Sequence, residues 1–478
     1  MTKLPITEDQ PRREIIVEQN RCDRPGLGAY REFTPFTSLT LIPPDVIQPV
    51  DGGYSPGPGG LSLIGRHAGC RSVFLMPWFS DASPSPEDQF ASEVIALVDE
   101  ILGLEAERVD DFALRIDRPE GGPVTMNLHN IYAEAGQLDG DARAERLRKA
   151  VLAMMPPERP DTWGEAAPQL LPAVRTASWA YASAGDGRAD VPAPFGRPLV
   201  PFVKVLCAID SEHSIAFGGV DDLSAWGVSD DEALHTAAEN LADQPCEVHR
   251  DGPVAMIVAP DGYASSWLAV PGLLAQVAED MGGTVVAIAP DRELLLLVDT
   301  DDHDASVEVL EAALDRYQAA PRQLSPVPYL VAESGIAPWE PPSGHPAAPL
   351  AEKAAHLLAA IEYAQQRTRL EELLAAEGED VHVAEHTLMQ TENGPYWSWT
   401  SWVRQVTDGL LPQADMVLFA DNHDPDADFT VPWDDVLRLA GHLLIEDPTC
   451  DPPRWRYRDW PDGGTLESLR ACAVPFPG

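Results

Sequence analysis

Apolar residues along this chain recur with two periods, and the order in which those periods appear limits the fold more than any single motif. Between residues 89 and 102 they fall at Phe90, Val94, Ile95, Leu97, Val98, Ile101 and Leu102, the spacing of one helix face. Two short strands are expected at 112–116 and 124–128, separated by the turn-forming run 118–122, and a helix at 144–155. Further strands are expected at 203–209, 214–218, 254–259, 284–289 and 294–298, interleaved with helices at 230–241, 272–281 and 305–318. Ser229 and Glu232 give the 230–241 helix a capping box. Hairpins and helices mix without strict strand–helix alternation, which predicts an α+β fold with a mixed sheet rather than a doubly wound one.

The chain has 478 residues, enough for more than one core. Residues 1–88 read as an irregular N-terminal elaboration, with the glycine-rich stretch 52–60 and short apolar segments at 39–42 and 72–79. The glycine-rich stretch lacks the Gly-Lys-Ser/Thr that would hold a nucleotide phosphate. Residues 89–336 read as the main α+β domain, and the Pro-rich stretch 337–350 as a linker. A long helix at 351–376 is expected to open a smaller C-terminal α+β domain, 351–478, with strands at 381–389, 396–403, 416–419 and 455–458 and a helix at 433–444. Six of the twelve tryptophans fall in its last 82 residues.

Seventy-seven carboxylates against 33 basic residues leave a formal charge of −44. That field repels phosphate backbones and anionic membranes and draws basic partners, so a protein partner is expected and nucleic acid is not. Only four lysines accompany 29 arginines, a skew that a GC-rich genome or a salt-adapted surface produces without any function. The six cysteines include no Cys-x-x-Cys pair, so neither a disulfide framework nor a zinc clip is indicated. Residues 1–20 carry no apolar signal-peptide region, and no run of 18 apolar residues occurs, so a cytoplasmic protein without membrane segments is expected.

A set of short pieces occurs in a specific order: Asn127 to Tyr132, Leu171 to Arg175, Val205 to Asp210, Trp226 with Glu239 to Leu241, Asp261 to Ser266, and Ala289 to Asp291 leading to Asp299. This order resembles the YtpQ-like family, a bacterial domain of unknown function, over roughly residues 105–335. The resemblance implies an intracellular α+β domain with no established activity. After Asp261-Gly262-Tyr263 the family tends toward an acidic and a basic residue, where this chain has Ala264 and Trp267.

Candidate ligand- or partner-binding residues are Asp261 and Tyr263, at a strand end where a turn is the plainer alternative, and Arg175 and Asp210. The last two are charges within or beside apolar runs, placed to pair as a buried ion pair. His382, Glu385 and His386 match the H-x-x-E-H spacing of inverted zincins, in which a helix lets both imidazoles bind zinc and places Glu385 as base. Here Val381 and Val383 alternate with polar residues, so a strand is expected instead, which puts Glu385 on the face opposite both histidines. Residues 421–428 form a carboxylate-rich loop, but Phe429 stands where a calcium loop needs glycine. Trp397 and Trp399 share one face of a strand, as a platform for sugar or peptide if exposed and as core if buried. With no P-loop, nucleophile elbow or kinase-type motif, the expected function is non-enzymatic binding of a protein, in an accessory or immunity-type role, with no cofactor. The alternatives are a zinc hydrolase at His382, Glu385 and His386, and a sugar- or peptide-binding module at Trp397 and Trp399.

Overall fold

The helix expected at 89–102 begins at Pro86, because Ser85 caps it. The Ser85 hydroxyl accepts from Asp88 N (3.0 Å) while the Asp88 carboxylate accepts from Ser85 N (3.1 Å). This computed structural model describes residues 17–19, 85–110, 112–118, 122–154, 159–184, 194–211, 215–259, 263–390 and 394–475. The expected segments at 39–42, 52–60 and 72–79 lie outside them. The chain divides into two compact units, residues 1–47 with 157–478, and residues 48–156. The first described element is the short strand β1 (Val17–Gln19).

The unit at 48–156 follows the expected helix–hairpin–helix order. It contains α1 (Pro86–Leu102), β2 (Ala106–Asp110), β3 (Ala113–Ile116), β4 (Val124–Asn127), α2 (His129–Ala135) and α3 (Gly140–Leu152). β2, β3 and β4 form an antiparallel sheet. Val94 and Val98, one turn apart on α1, pack with Leu114, Ile116, Met126, Leu147 and Val151 in its core.

The larger unit opens with α4 (Trp163–Ala166), β5 (Leu170–Thr176), α5 (Ala177–Ala184), β6 (Gly196–Val200), β7 (Val203–Asp210), β8 (Ile215–Phe217), α6 (Val220–Trp226) and α7 (Asp230–Ala242). Its strands form one antiparallel sheet in the order β5-β7-β6, with β8 also paired to β7. Next come β9 (Glu247–Asp251), β10 (Val254–Val258), α8 (Pro271–Met281), β11 (Val285–Asp291), β12 (Leu294–Asp299), α9 (His303–Ala319), β13 (Gln323–Ala332) and β14 (Gly335–Pro338). They build a sheet ordered β1-β9-β10-β12-β11-β13-β14, antiparallel except where β1 meets β9. β5 and β13 were not among the expected strands, because Pro172, Pro326 and Pro328 interrupt their sequence. Pro172 is tolerated on an edge strand, and Pro326 and Pro328 sit in a bulge, between the pairs Ala287–Tyr329 and Ala289–Ser325.

The C-terminal stretch holds α10 (Ala348–Glu377), β15 (His382–Val383), β16 (Thr387–Gln390), β17 (Tyr396–Val403), β18 (Gly409–Pro412), β19 (Met416–Ala420), β20 (Phe429–Pro432), α11 (Trp433–Ala440), β21 (Ile445–Asp447), β22 (Arg454–Tyr457) and α12 (Gly463–Ala471). Two four-stranded sheets result, β15-β18-β22-β21 and β16-β17-β19-β20. The chain is therefore α+β, as the sequence predicts.

The division of the chain differs from the expected one. The boundary falls at residues 156/157, inside the expected domain 89–336, and 351–478 joins the same unit as 157–336. The stretch 337–350 is packed rather than a linker. Trp339 N donates to Pro328 O (2.9 Å), and the Trp339 ring, 7% exposed, meets His345 edge-on. The buried His345 in turn bonds Thr300 O through Nε2 (3.0 Å) and accepts from Ala347 N (3.1 Å). α10 then carries the continuity. Ala354, Leu357, Leu358 and Ala360 enter the core shared with β10, β11 and β13, while Leu370 packs with Val383 and Leu410. The helix ends at Gly378, whose φ of +73° is the left-handed stop that glycine adopts without strain.

Two polar side chains of α10 face inward. Gln366 and the carbonyl of Tyr363 receive the guanidinium of Arg454, which has 0% exposure. Replacing Arg454 with Met removes a cation that every donor nitrogen had satisfied and strands its acceptors. We expect a loss of about 3–5 kcal/mol, read as a lower urea midpoint. Glu362, 1% exposed, accepts from Ser178 N (2.8 Å) in the first turn of α5, and burial pushes its pKa up to about 7. A carboxyl with a raised folded-state pKa stabilises the fold while protonated, and that contribution falls as pH climbs from the ordinary carboxylate range through 7. Between pH 5 and 8 the wild type should therefore lose roughly 3 kcal/mol relative to Glu362→Gln, measured by chemical denaturation at each pH.

Candidate ligand-binding site

β5 and β7 pair over their whole length, so Leu170 lies opposite Ile209 and Arg175 opposite Lys204. Alternation puts Arg175 on the face that carries Leu171 and Ala173. The guanidinium lies over two aromatic rings on this face, Phe217 of β8 and Trp179 of α5, each 5.5 Å from its centroid. Arg292 approaches the same indole, also at 5.5 Å. It sits in the β11–β12 turn, which Asp291 shapes by accepting from Glu293 N (2.8 Å) and pairing with Arg316. Ser265 N donates to Arg292 O (3.3 Å), and Ser266 Oγ accepts from Val174 N (3.4 Å), so the 264–269 turn ties the β11–β12 turn to β5.

Tyr263 precedes that turn. Its ring is buried in the main core, and its hydroxyl donates to Asp210 Oδ1 (3.0 Å) at the end of β7. Two of the four sequence-selected residues of this region, Asp210 and Tyr263, are thus in contact. Another, Asp261, lies outside the described residues. The expected ion pair between Arg175 and Asp210 does not form. Antiparallel pairing places the two at opposite ends of the β5–β7 ladder, and Asp210 is engaged by the Tyr263 phenol instead. Arg175 donates only through Nη1, to Val174 O (2.8 Å), and its Nε is closed off from solvent without an acceptor. Burial lowers its pKa to about 10, the nearby Tyr263 phenol works against that shift, and Arg322 adds to it.

On its other side Asp210 lines a shallow cleft of about 180 Å³ together with Asp243, Gln169, Asn240 and Gln244. Asn240 is fixed by donating to Ala167 O (2.7 Å) and Leu170 O (2.8 Å). Sequence reading did not single out Trp179, Phe217, Arg292, Arg322 or Asp243. Arg292 directly follows Asp291 at the end of β11, a position with no motif to mark it.

The remaining sequence candidates fall elsewhere. Residues 382–383 are a strand, not a helix, so the helical arrangement that the zincin spacing requires is absent. His386 is buried and stacked on Tyr363 (5.2 Å), with burial holding its pKa near 4, while Glu385 points to Arg367 (3.3 Å). Among the described residues no three His, Cys, Asp or Glu side chains converge as a metal site. Trp397 is 6% exposed and Trp399 half-buried, so the pair is not an open platform. The C-terminal core is built on Trp402 instead, against Phe419 (5.5 Å) and Tyr457 (4.9 Å). The acidic loop closes on itself: Asp421 N donates to Asp428 (2.8 Å), and the Asp421 carboxylate accepts from His423 N and binds Arg404.

No family model, curated protein or solved structure matches this chain. Among the described residues no helix is long and apolar enough to cross a membrane. Tyr263→Phe keeps the ring in the core and removes one hydroxyl bond to a half-buried carboxylate. It should cost about 1 kcal/mol in denaturant unfolding, whereas Tyr396→Phe, at a half-buried tyrosine whose hydroxyl bonds no described residue, should cost less.

Proposed function

We propose that this protein is a non-enzymatic binding module for a basic protein partner, a YtpQ-like accessory or immunity-type protein acting in the bacterial cytoplasm. The observation that carries the reading is the cleft at Asp210 and Asp243. Two carboxylates stand there beside neutral amides, in a chain whose net charge is −44. Carboxylate and amide oxygens accept hydrogen bonds from a lysine ammonium or an arginine guanidinium. The Tyr263 hydroxyl fixes Asp210 before any partner arrives, which lowers the ordering cost of binding. The overall field raises the encounter rate of a basic partner, and the cleft gives it a place to dock.

A lysine-rich peptide titrated against the full chain tests this reading. Binding should weaken steeply between about 50 and about 300 mM NaCl. Asp210→Asn with Asp243→Asn should weaken it by about tenfold more than Glu308→Gln with Glu311→Gln, which removes the same charge from the exposed side of α9. Equal losses in the two double variants would reduce the interaction to net charge and sink the cleft as a docking site.

A further inference from the structure

We propose that the cavity beside α1, α2 and α3 of the smaller unit binds a small, uncharged aromatic molecule of a single ring. This site is separate from the proposed docking of a basic partner. It lies within residues 48–156, while the Asp210 and Asp243 cleft belongs to the larger unit.

The case starts from size and wall chemistry. The cavity holds about 360 Å³, twice the 180 Å³ of the Asp210 cleft. Small-molecule sites begin at roughly 300 Å³, so the space suits one ring rather than a larger ligand. Phe90 of α1 and Tyr132 and Ala133 of α2 line it, with Gln137 and Arg143 also in the wall. Phe90 is 4% exposed and meets Tyr132 edge to face, their centroids 5.0 Å apart, and Phe112 packs against Tyr132 as well (5.4 Å). Both lining rings are therefore held in place before any ligand arrives. Such walls favour another ring, because edge-to-face and offset contacts add to the gain from burial.

Charge decides what kind of ring. Arg143 is the charged residue of the lining, and its guanidinium lies 5.9 Å from the Phe90 centroid. Glu93 of α1 holds it as a fork, Nη1 to Oε1 and Nη2 to Oε2, both at 2.6 Å. Opposite charges in bidentate contact leave only a dipole for a third group to sense. Arg143 in turn holds the Glu93 carboxyl below its ordinary range, so the pair stays ionised at neutral pH. The lining therefore rewards neither an anion nor a cation. Polar recognition falls to Tyr132 and Gln137. Neither the phenol hydroxyl nor the side-chain amide bonds another described residue, so both are available to a hydroxyl carried by the ring.

Titration calorimetry of the full chain at neutral pH, with phenol, cyclohexanol, benzoate and benzylammonium in turn, tests the site. Phenol should bind saturably, one per chain. Cyclohexanol, benzoate and benzylammonium should each bind about tenfold more weakly. Ala133→Leu fills the cavity from its half-buried wall and should abolish phenol binding. Glu93→Gln frees the charge of Arg143 and should reverse the selectivity, raising benzoate affinity about tenfold and above that of phenol. No saturable phenol binding in the wild type would overturn the proposal, as would phenol binding that Ala133→Leu leaves unchanged. Equal affinity for cyclohexanol would overturn the aromatic assignment, and benzoate affinity unmoved by Glu93→Gln would overturn the part given to charge. Should Ala133→Leu fail to fold, Glu93→Gln decides the outcome, since that ion pair is partly exposed and its loss costs little stability. Failure here leaves the Asp210 and Asp243 cleft untouched, since that is read with a cationic peptide and different variants.

Discussion

One buried cation, Arg454, ties the sheet β15-β18-β22-β21 to the long helix α10. Its guanidinium has 0% exposure, lies over the Tyr363 ring (5.4 Å) and bonds groups from three segments: Gln366 and Tyr363 of α10, Ala384 after β15, and Leu410 of β18. Tyr363 and Gln366 return bonds to Pro453 O and Pro452 O, just before β22. Desolvating a guanidinium is costly, and the cost is offset only when every partner is in place. The helix face, two strand ends and the turn before β22 must therefore assemble together.

α10 extends that constraint through the unit. It carries Arg454's acceptors on one stretch and, through Glu362, a carboxylate that receives the Ser178 amide at the start of α5. α5 begins immediately after β5, so the helix that holds the C-terminal sheets also holds the strand bearing Arg175. Ala351 and Ala354 keep the packed stripe of α10 narrow where it meets the large sheet, and Leu357 and Leu358 fill the space between. A small-then-large pattern of this kind packs a helix closely on a sheet without voids.

Much of this was legible in the sequence, for identifiable reasons. Helices with strong apolar periodicity and clear caps, such as α7 behind Ser229 and α10 before Gly378, were readable to within a few residues. The strands β7, β11, β12 and β17 were readable from apolar or aromatic runs. β5 and β13 were not, since proline counts against a strand until its position on an edge or in a bulge is known. The domain boundary was misplaced for a related reason. Proline-rich composition marks a linker only when nothing anchors it, and here the buried Trp339 and His345 fasten an otherwise largely exposed stretch. Arg175, Asp210 and Tyr263 stood out as polar residues in apolar settings, but their relation depended on register. Antiparallel pairing of β5 with β7 separates the two charges and leaves Asp210 to the Tyr263 phenol, and no local pattern encodes that.

The acidity itself divides once the fold is known. Asp88, Asp302 and Asp462 satisfy the free amides at helix starts, while Asp291, Asp421 and Asp447 accept amides two residues ahead and set turns. In these places a carboxylate is the residue that local backbone chemistry prefers, in a chain with only four lysines to balance it. Such carboxylates contribute to the field around the protein without marking a site. Asp210 differs in kind: it caps no helix, sits at the end of a core strand, and is held by a tyrosine from another segment. A carboxylate held by a long-range contact is one whose placement the fold has constrained. The two buried guanidinium groups differ as well, since each nitrogen of Arg454 donates while Arg175 Nε has no acceptor.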